Sequence, residues 1–470
     1  MASVRKEKDL LGEKEISNEL YYGIQTKRAL ENFPITGYAP HPTLIHALAV
    51  VKKSSAEANM EVGRLNKKIG QAICKACEEI IQGDLHQYFV VDAIQGGAGT
   101  SMNMNANEVI ANRAIELLGG KKGEYIKVSP NTHVNMAQST NDAFPTAINI
   151  AALKLAQGVL TSLNGLIDAL KGKEAEFDEV LKMGRTHLQD AVPIRLGQEF
   201  GAYAKVLSRD VKRIEKSLED LKEINMGATA VGTGLNADPK YIEVVVDRVN
   251  ENSGIEFTTA SNLVDSTQNT DAFVAVSAAL KICAVNLSKM ANDLRLLSSG
   301  PKCGLNEINL PPVQPGSSIM PGKVNPVMAE VVNQVAFQIM GNDHTICLAS
   351  EAGQLELNVM EPVLTFNLLQ SLDILRNVTT VFADKCIKGI TVNEERCRQL
   401  VDESIGIVTA INPHVGYETA STVAQEAIKT GRPIKEIVLE RGILTEEELE
   451  KILNPYDMTR PGISGSDLLK

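Results

Sequence analysis

Five long stretches rich in Ala, Leu and Val restrict this chain more than any other feature; they fall at about 143–171, 193–223, 267–299, 326–349 and 360–388. The run from Gln268 to Ser298 contains neither Gly nor Pro, which predicts an unbroken helix roughly 45 Å long. Its small residues, Ala272, Ala275, Ser277, Ala278 and Ala279, fall on more than one side, as in a helix packed closely by several neighbours. Helices this long and apolar leave a large exposed patch on a monomer. The expected fold is therefore all-α, an elongated bundle of long helices buried by oligomerisation.

Composition narrows the partners. The chain has 470 residues, 44% of them hydrophobic, and a formal charge of −11. That balance argues against nucleic acid or an anionic membrane as the main partner. A small anion remains possible only where the local field is reversed. Seven cysteines, an odd number over a long chain, point to reduced thiols and a cytoplasmic protein. Cys74 and Cys77 form a C-x-x-C pair, but they lie in a helical apolar stripe with Ile69, Ile73 and Ile80, which reads as core packing. The N-terminus has no apolar targeting core, and no uncharged run reaches membrane-spanning length.

Residues 1–40 read as irregular. Helical periodicity begins near Pro42, recurs from Asn66 to Ile81, and returns from Asn103 to Leu118, where Gly119-Gly120 ends it. These residues make a mostly helical first domain, 1–140. The long-helix bundle occupies 141–390, and 391–470 reads as a small C-terminal helical domain. There, Thr445-Glu446-Glu447-Glu448 is a capping box that starts a helix.

Four blocks share one pattern, a hydroxyl-rich polar loop placed before a helix. They are Gly99-Thr100-Ser101, Gln138-Ser139-Thr140-Asn141-Asp142, Gly184-Arg185-Thr186-His187 and Gly316-Ser317-Ser318-Ile319-Met320-Pro321-Gly322-Lys323-Val324-Asn325-Pro326. Pro145, Pro193 and Pro326 stand at or just inside the following helix starts, and Asn325-Pro326 reads as an N-cap with proline at the first helical position. Hydroxyls, amides, one imidazole, one ammonium and several helix N-termini suit a small dianion. Each block also has a plain reading, as an N-cap cluster, a structural histidine or a solvated lysine. No G-x-x-x-x-G-K-[ST] loop and no ligand set at metal spacing is present, so no metal or organic cofactor is expected.

Together the blocks resemble the fumarase/aspartase superfamily. The loop 316–326 is similar to its signature nearly letter for letter. Gly96–Ser101, Ser139–Asp142, Gly184–Pro193 and Gly232–Asn236 resemble its other blocks, in the same order. The resemblance runs from Tyr21-Tyr22-Gly23 to Asn412-Pro413-His414. It implies a three-domain helical subunit whose central bundle forms the core of a homotetramer, with active sites shared between three subunits. Ile224–Thr229 and Glu351–Val363 are closer to the ammonia-eliminating branch; fumarases tend to have a basic residue where Glu361 stands. His187 does not discriminate between the branches, and Ala329 stands where this branch often has Pro. The implied reaction is reversible anti elimination of ammonia from L-aspartate to give fumarate, through an aci-carboxylate. By resemblance Ser317 is the general base, with His187 the next candidate. Thr100, Ser139, Thr140 and Ser318 would hold the β-carboxylate, Lys323 and Asn325 the α-carboxylate, and Asn141, Thr186 and His187 the amino group. Hydration of fumarate is the nearest alternative, the argininosuccinate and adenylosuccinate lyases fit less well, and a non-catalytic scaffold of the same fold is a further one.

Overall fold

The computed structural model describes residues 3–469, and helices dominate it. The chain opens with a hairpin, β1 (Val4–Asp9) and β2 (Gly12–Ser17), followed by α1 (Ile24–Asn32). Next come α2 (Pro42–Glu61), α3 (Lys67–Ile81), α4 (Thr100–Leu117) and the long α5 (Thr140–Glu176). A second hairpin, β3 (Leu181–Thr186) and β4 (Gln189–Arg195), leads into α6 (Leu196–Leu218). After β5 (Glu223–Ile224), α7 (Pro239–Ser253), β6 (Thr258–Thr259) and the single turn α8 (Asp265–Gln268) comes α9 (Asp271–Leu297). Then β7 (Ile308–Asn309), α10 (Val327–Glu351), α11 (Glu361–Lys385) and β8 (Thr391–Val392) precede six short helices between Glu394 and Met458.

The chain divides into two compact units. One comprises the chain up to Thr161 with Lys212–Ala284 and Ala336–Arg376; the other comprises Ser162–Val211, Val285–Val335 and the chain from Asn377 onward. The boundaries fall inside α5, α6, α9, α10 and α11. In the first unit, Asp343 of α10 accepts from Ser277 Oγ at 2.8 Å and Lys281 Nζ at 2.6 Å, both on α9. In the second, Asn333 of α10 donates to the carbonyl and hydroxyl oxygens of Ser288 on α9 at 3.1 and 2.9 Å. Beside these polar pins the helices bury Leu, Val, Ile and Ala at helical spacing, as α9 does with Val276, Leu280, Leu287 and Leu294.

Three expectations need correction. Residues 1–40 are not irregular, because Val4–Ser17 is a hairpin. Its alternation is of charge sign, with Lys6 opposite Glu15, Glu7 opposite Lys14 and Lys8 opposite Glu13; opposite-charge cross-strand pairs stabilise it without an apolar period. The run Gln268–Ser298 is not one helix. Asn269 is extended between α8 and α9, and the neighbouring Thr270 hydroxyl is held by Ser350 Oγ at 2.9 Å. Side-chain bonds of this kind compete with the helical ladder. Pro193 does not open a helix; it lies in β4 opposite Met183, in a two-stranded hairpin where no further strand requires its missing N–H. Separately, α5 and α9 are long and apolar enough to cross a bilayer, with 61% and 50% of those stretches buried inside the protein, and no uncharged run in either reaches spanning length.

Other features follow the sequence closely. Asn66 caps α3 by accepting from Lys68 and Ile69, and Thr445 with Glu448 forms the capping box before Glu446–Ile452. Cys77 is fully buried and Cys74 partly so, with burial pushing the Cys74 thiol up to about 12; both pack as small apolar groups.

The bundle helices keep large apolar side chains outside: Ile282 and Val285 on α9, and Phe337 and Leu348 on α10. Phe337 is 61% exposed although its neighbour Ala336 is buried. Covering such a ring contributes about 1.5–3 kcal/mol. Phe337→Glu is therefore expected to lower the sedimentation coefficient to that of smaller species while the helical circular-dichroism signal is kept. An unchanged coefficient would place the subunit contact elsewhere.

Candidate active site

In the first unit, two helix starts open onto one cup of about 440 Å³. Thr100 begins α4 after Gly99, whose φ of +87° and contact with the Phe144 ring leave no room for a side chain. Thr140 begins α5, and its hydroxyl accepts from Asn103 Nδ2 at 3.0 Å. Ser139 Oγ accepts the Asn141 N–H at 3.2 Å, and Thr100 Oγ1 donates to Gly97 O at 2.7 Å. Thr100, Ser139 and Thr140 line the cup with Asn103, Asn135 and Gln138, and no charged side chain lines it. Asn141 is not in the lining; its side-chain amide donates to Ala230 O at 2.7 Å.

Two fully buried charged groups hold the loop that carries these residues. Asp142 accepts the N–H groups of Ser139 at 2.9 Å, Thr229 at 3.0 Å and Gly227 at 3.2 Å. Its carboxyl thus ties the 227–229 turn to the start of α5. Burial pushes that acid up to about 7, with the backbone donors and Lys52 opposing. Lys52, in the middle of α2, donates to Gln138 Oε1 at 2.8 Å and Asn135 Oδ1 at 3.0 Å. Burial brings its ammonium down to about 7, with Asp142 opposing. The sequence reading missed Lys52, although its position straight after Leu48-Ala49-Val50-Val51 was the available signal.

The remaining site residues lie in the second unit. Thr186 and His187 are at the tip of the β3–β4 hairpin, not in a loop before a helix as expected. Thr186 pairs with Gln189 around the two-residue turn His187-Leu188, and both turn residues have positive φ, 55° and 59°. Such turns favour Asn-Gly, and each non-glycine residue held there costs roughly 1–3 kcal/mol. Ion pairs along β3 hold the strand that leads into this turn. Arg185 Nη1 donates to both oxygens of the fully buried Glu307 at 3.0 and 3.1 Å, and Lys182 Nζ donates to Glu199 Oε1 at 2.9 Å. Glu307 stands in a stretch without periodicity, and nothing in the sequence marked it.

The loop 316–326 is closed on itself. Gly316 N–H donates to Lys323 O at 2.8 Å, and Asn325 Nδ2 donates to Gly316 O at 2.5 Å. A Cβ on Gly316 would meet Lys323 O at 2.5 Å, so only glycine permits the clasp. Asn325 is not the N-cap, because α10 starts at Val327 and Pro326 precedes it; the Asn325 Nδ2 closes the clasp. Inside the loop, Ser317 Oγ accepts two backbone N–H groups, from Met320 at 3.0 Å and Ile319 at 3.2 Å. Ser318 and Lys323 are exposed. Lys323 and Asn325 line a cavity of about 760 Å³ that also takes in Arg295 and Glu330, two residues the sequence reading did not single out. Glu330 in the first turn of α10 was legible as an acid at a helix start. Among the described residues, no group of three or more His, Cys, Asp or Glu side chains is placed to hold a metal ion.

Comparison with known proteins matches a lyase family model over residues 12–341 and a fumarase C C-terminal model over residues 407–460. An aspartate ammonia-lyase of Bacillus subtilis (strain 168) is 64% identical over 466 residues, 99% of this chain and 98% of the relative. A crystal structure described as fumarate lyase:delta crystallin from Brucella melitensis bound to cobalt has a TM-score of 0.95 at 49% identity, covering 98% of this chain and 100% of that one. A class II fumarase from Schistosoma mansoni has a TM-score of 0.93 at 39% identity, with the same coverage. With a family match over most of its length and relatives this similar end to end, the chain belongs to the lyase family of the fumarase/aspartase superfamily.

Proposed function

We propose that the protein is a carbon–nitrogen lyase that eliminates ammonia from L-aspartate to give fumarate, reversibly. The choice of leaving group is supported by 64% identity to an aspartate ammonia-lyase, against 39% to a fumarase of the same fold. The observation that carries the chemistry is the pair of backbone N–H groups on Ser317 Oγ. The difficult step is removal of a weakly acidic C–H beside the β-carboxylate, and a serine hydroxyl is a poor base. Donors already aimed at its oxygen favour the alkoxide over the alcohol and so bring its basicity into range. Ser317 takes the proton, the β-carboxylate becomes an aci-carboxylate with an additional negative charge, and ammonia leaves from the neighbouring carbon.

Thr100, Ser139, Thr140 and Ser318 receive the β-carboxylate. Their hydroxyls and the starts of α4 and α5 bind more tightly as the charge grows; one such donor in an oxyanion site is worth about 2.7–4 kcal/mol. Lys323 and Asn325 hold the α-carboxylate, the lysine with a full charge. Asn141, Thr186 and His187 contact the amino group. Each set of residues is incomplete by itself, since the cup offers donors without base or charge while the 316–326 loop supplies both. That division supports active sites shared between three subunits of a homotetramer, as do the uncovered apolar side chains of α9 and α10. The exposed Ile319, 83% accessible beside Ser317, supports a loop that closes over substrate. Seven free thiols support a cytoplasmic location.

The rise of fumarate absorbance in the ultraviolet is expected with L-aspartate and not with malate. A rise with malate alone would make the protein a hydratase, and none with either would make it a scaffold. Ser317→Ala is expected to abolish turnover with fold and substrate affinity kept. If it retained more than about a tenth of kcat, a loss of about 1.4 kcal/mol or less, the base would be another group, His187 first. For Lys323→Ala the expectation is a much raised KM, because the charge holds substrate and transition state alike.

A further inference from the structure

Behind the cup of the first unit runs a chain of side-chain amides whose polarity the fold dictates. Asn135 Nδ2 donates to Gln138 O at 3.1 Å, and Gln138 Nε2 donates to Val134 O and Met136 O at 3.1 and 3.2 Å. A carbonyl oxygen carries no hydrogen, so each amide must turn its nitrogen towards it. The oxygen ends, Asn135 Oδ1 and Gln138 Oε1, then face the Lys52 ammonium at 3.0 and 2.8 Å. An ammonium offers hydrogens and nothing else. Both ends of each amide therefore require the same orientation. Asn107 Nδ2 meets the same Asn135 oxygen at 3.1 Å.

With Asn135 Oδ1 fixed as an acceptor, Asn103 on α4 must point its own nitrogen at it, and does so at 3.2 Å. The same Nδ2 gives its other hydrogen to Thr140 Oγ1 at 3.0 Å. Thr140 accepts in that bond, and its own hydroxyl hydrogen has no acceptor among the described residues. That hydrogen is left for a group entering the cup, which Thr140 and Asn103 both line. Ser139 differs, because its hydroxyl takes a backbone donor, the Asn141 N–H at 3.2 Å. A second observation concerns the far end of Asn103. The residue is 1% exposed, and its Oδ1 has no hydrogen-bond partner. A buried acceptor without a donor is costly, and an apolar side chain of similar size would fill the space without that cost. What the amide provides here is its donor end. Building on the assignment of Thr140 to the β-carboxylate, we propose that Asn103 is a positioning residue for the lyase reaction, held by Asn135 and Lys52 so that the Thr140 hydroxyl donates into the cup. The dianion then meets a hydroxyl already set to donate, and the bond tightens as the aci-carboxylate forms.

The test is a double-mutant cycle with Thr140→Val, which keeps the shape of that side chain and removes its hydroxyl. Thr140→Val alone is expected to lower kcat about a hundredfold, and Asn103→Leu alone about tenfold or more, with KM for L-aspartate within about a factor of three. Together they are expected to lose no more than about twofold beyond Thr140→Val, because Asn103 acts through the hydroxyl already removed. Losses that multiply would make Asn103 a packing residue and overturn the proposal, as would unchanged activity in Asn103→Leu. Circular dichroism and Tm check the fold of each variant. Where Asn103→Leu does not fold, Asn103→Asp takes its place in the cycle, being equal in size and without a donor when ionised. The same cycle on the affinity for succinate, a dianion that cannot eliminate, requires no turnover. Asn103→Leu is expected to weaken succinate binding about threefold or more in the unsubstituted protein, and not in Thr140→Val. That pattern without fumarate from L-aspartate would sink the reading of the reaction and leave the positioning role standing; fumarate from L-aspartate with losses that multiply would do the reverse.

Discussion

A chain with a formal charge of −11 that binds a dianion must reverse its own field locally, and the arrangement of the structure depends on that constraint. The first unit meets it without placing a charged side chain in the cup. Two helix starts, several hydroxyls and amides line it, and the Lys52 ammonium is buried behind Asn135 and Gln138. Helix N-termini and neutral donors attract an anion without demanding a counter-charge when the site is vacant. Asp142 keeps this arrangement in register by gathering N–H groups from two loops.

The second unit uses backbone geometry for the reactive groups. Gly316 allows the loop to close on Lys323 O, and that closure leaves the Ile319 and Met320 N–H groups directed at Ser317 Oγ. In the hairpin, buried ion pairs at Lys182, Arg185 and Glu307 hold a strained His187-Leu188 turn. Strain of this kind persists only where the surroundings over-determine it. In the hairpin the reactive side chain is at an exposed tip, whereas in the loop Ser317 is half-buried beside the clasp and its N–H donors belong to the exposed Ile319 and Met320.

Much of the architecture was legible in the residues themselves. Glycine, proline and capping residues act within a few positions of where they stand, so α2, α3 and the Glu446–Ile452 helix start where the sequence predicts. The hydroxyl-rich blocks were legible as a group for the same reason, because a loop before a helix start is a local event. Three errors came from treating distant partners as if they were local. Asn325 reads as an N-cap, but α10 starts one residue late, at Val327, and the Asn325 amide reaches back to Gly316 O; Thr270 reads as helical until Ser350 holds its hydroxyl, and Pro193 reads as a helix start until Met183 pairs with it.

The sequence by itself determined the helical class, the apolar faces and the loops that carry hydroxyls, because those depend on period and on short-range sterics. Only the tertiary structure decided which carboxylates became structural. Asp142, Glu307 and Glu361 are all acids buried to 2% exposure or less, but the first collects backbone donors, the second holds an arginine, and the third has an oxygen with no partner. Desolvation makes those three outcomes differ, and desolvation depends on residues far along the chain that no local reading can supply. The loop 316–326 shows the same division. Its glycines and prolines determined that it would not be helical, while the fold decided that its N–H groups would meet on Ser317.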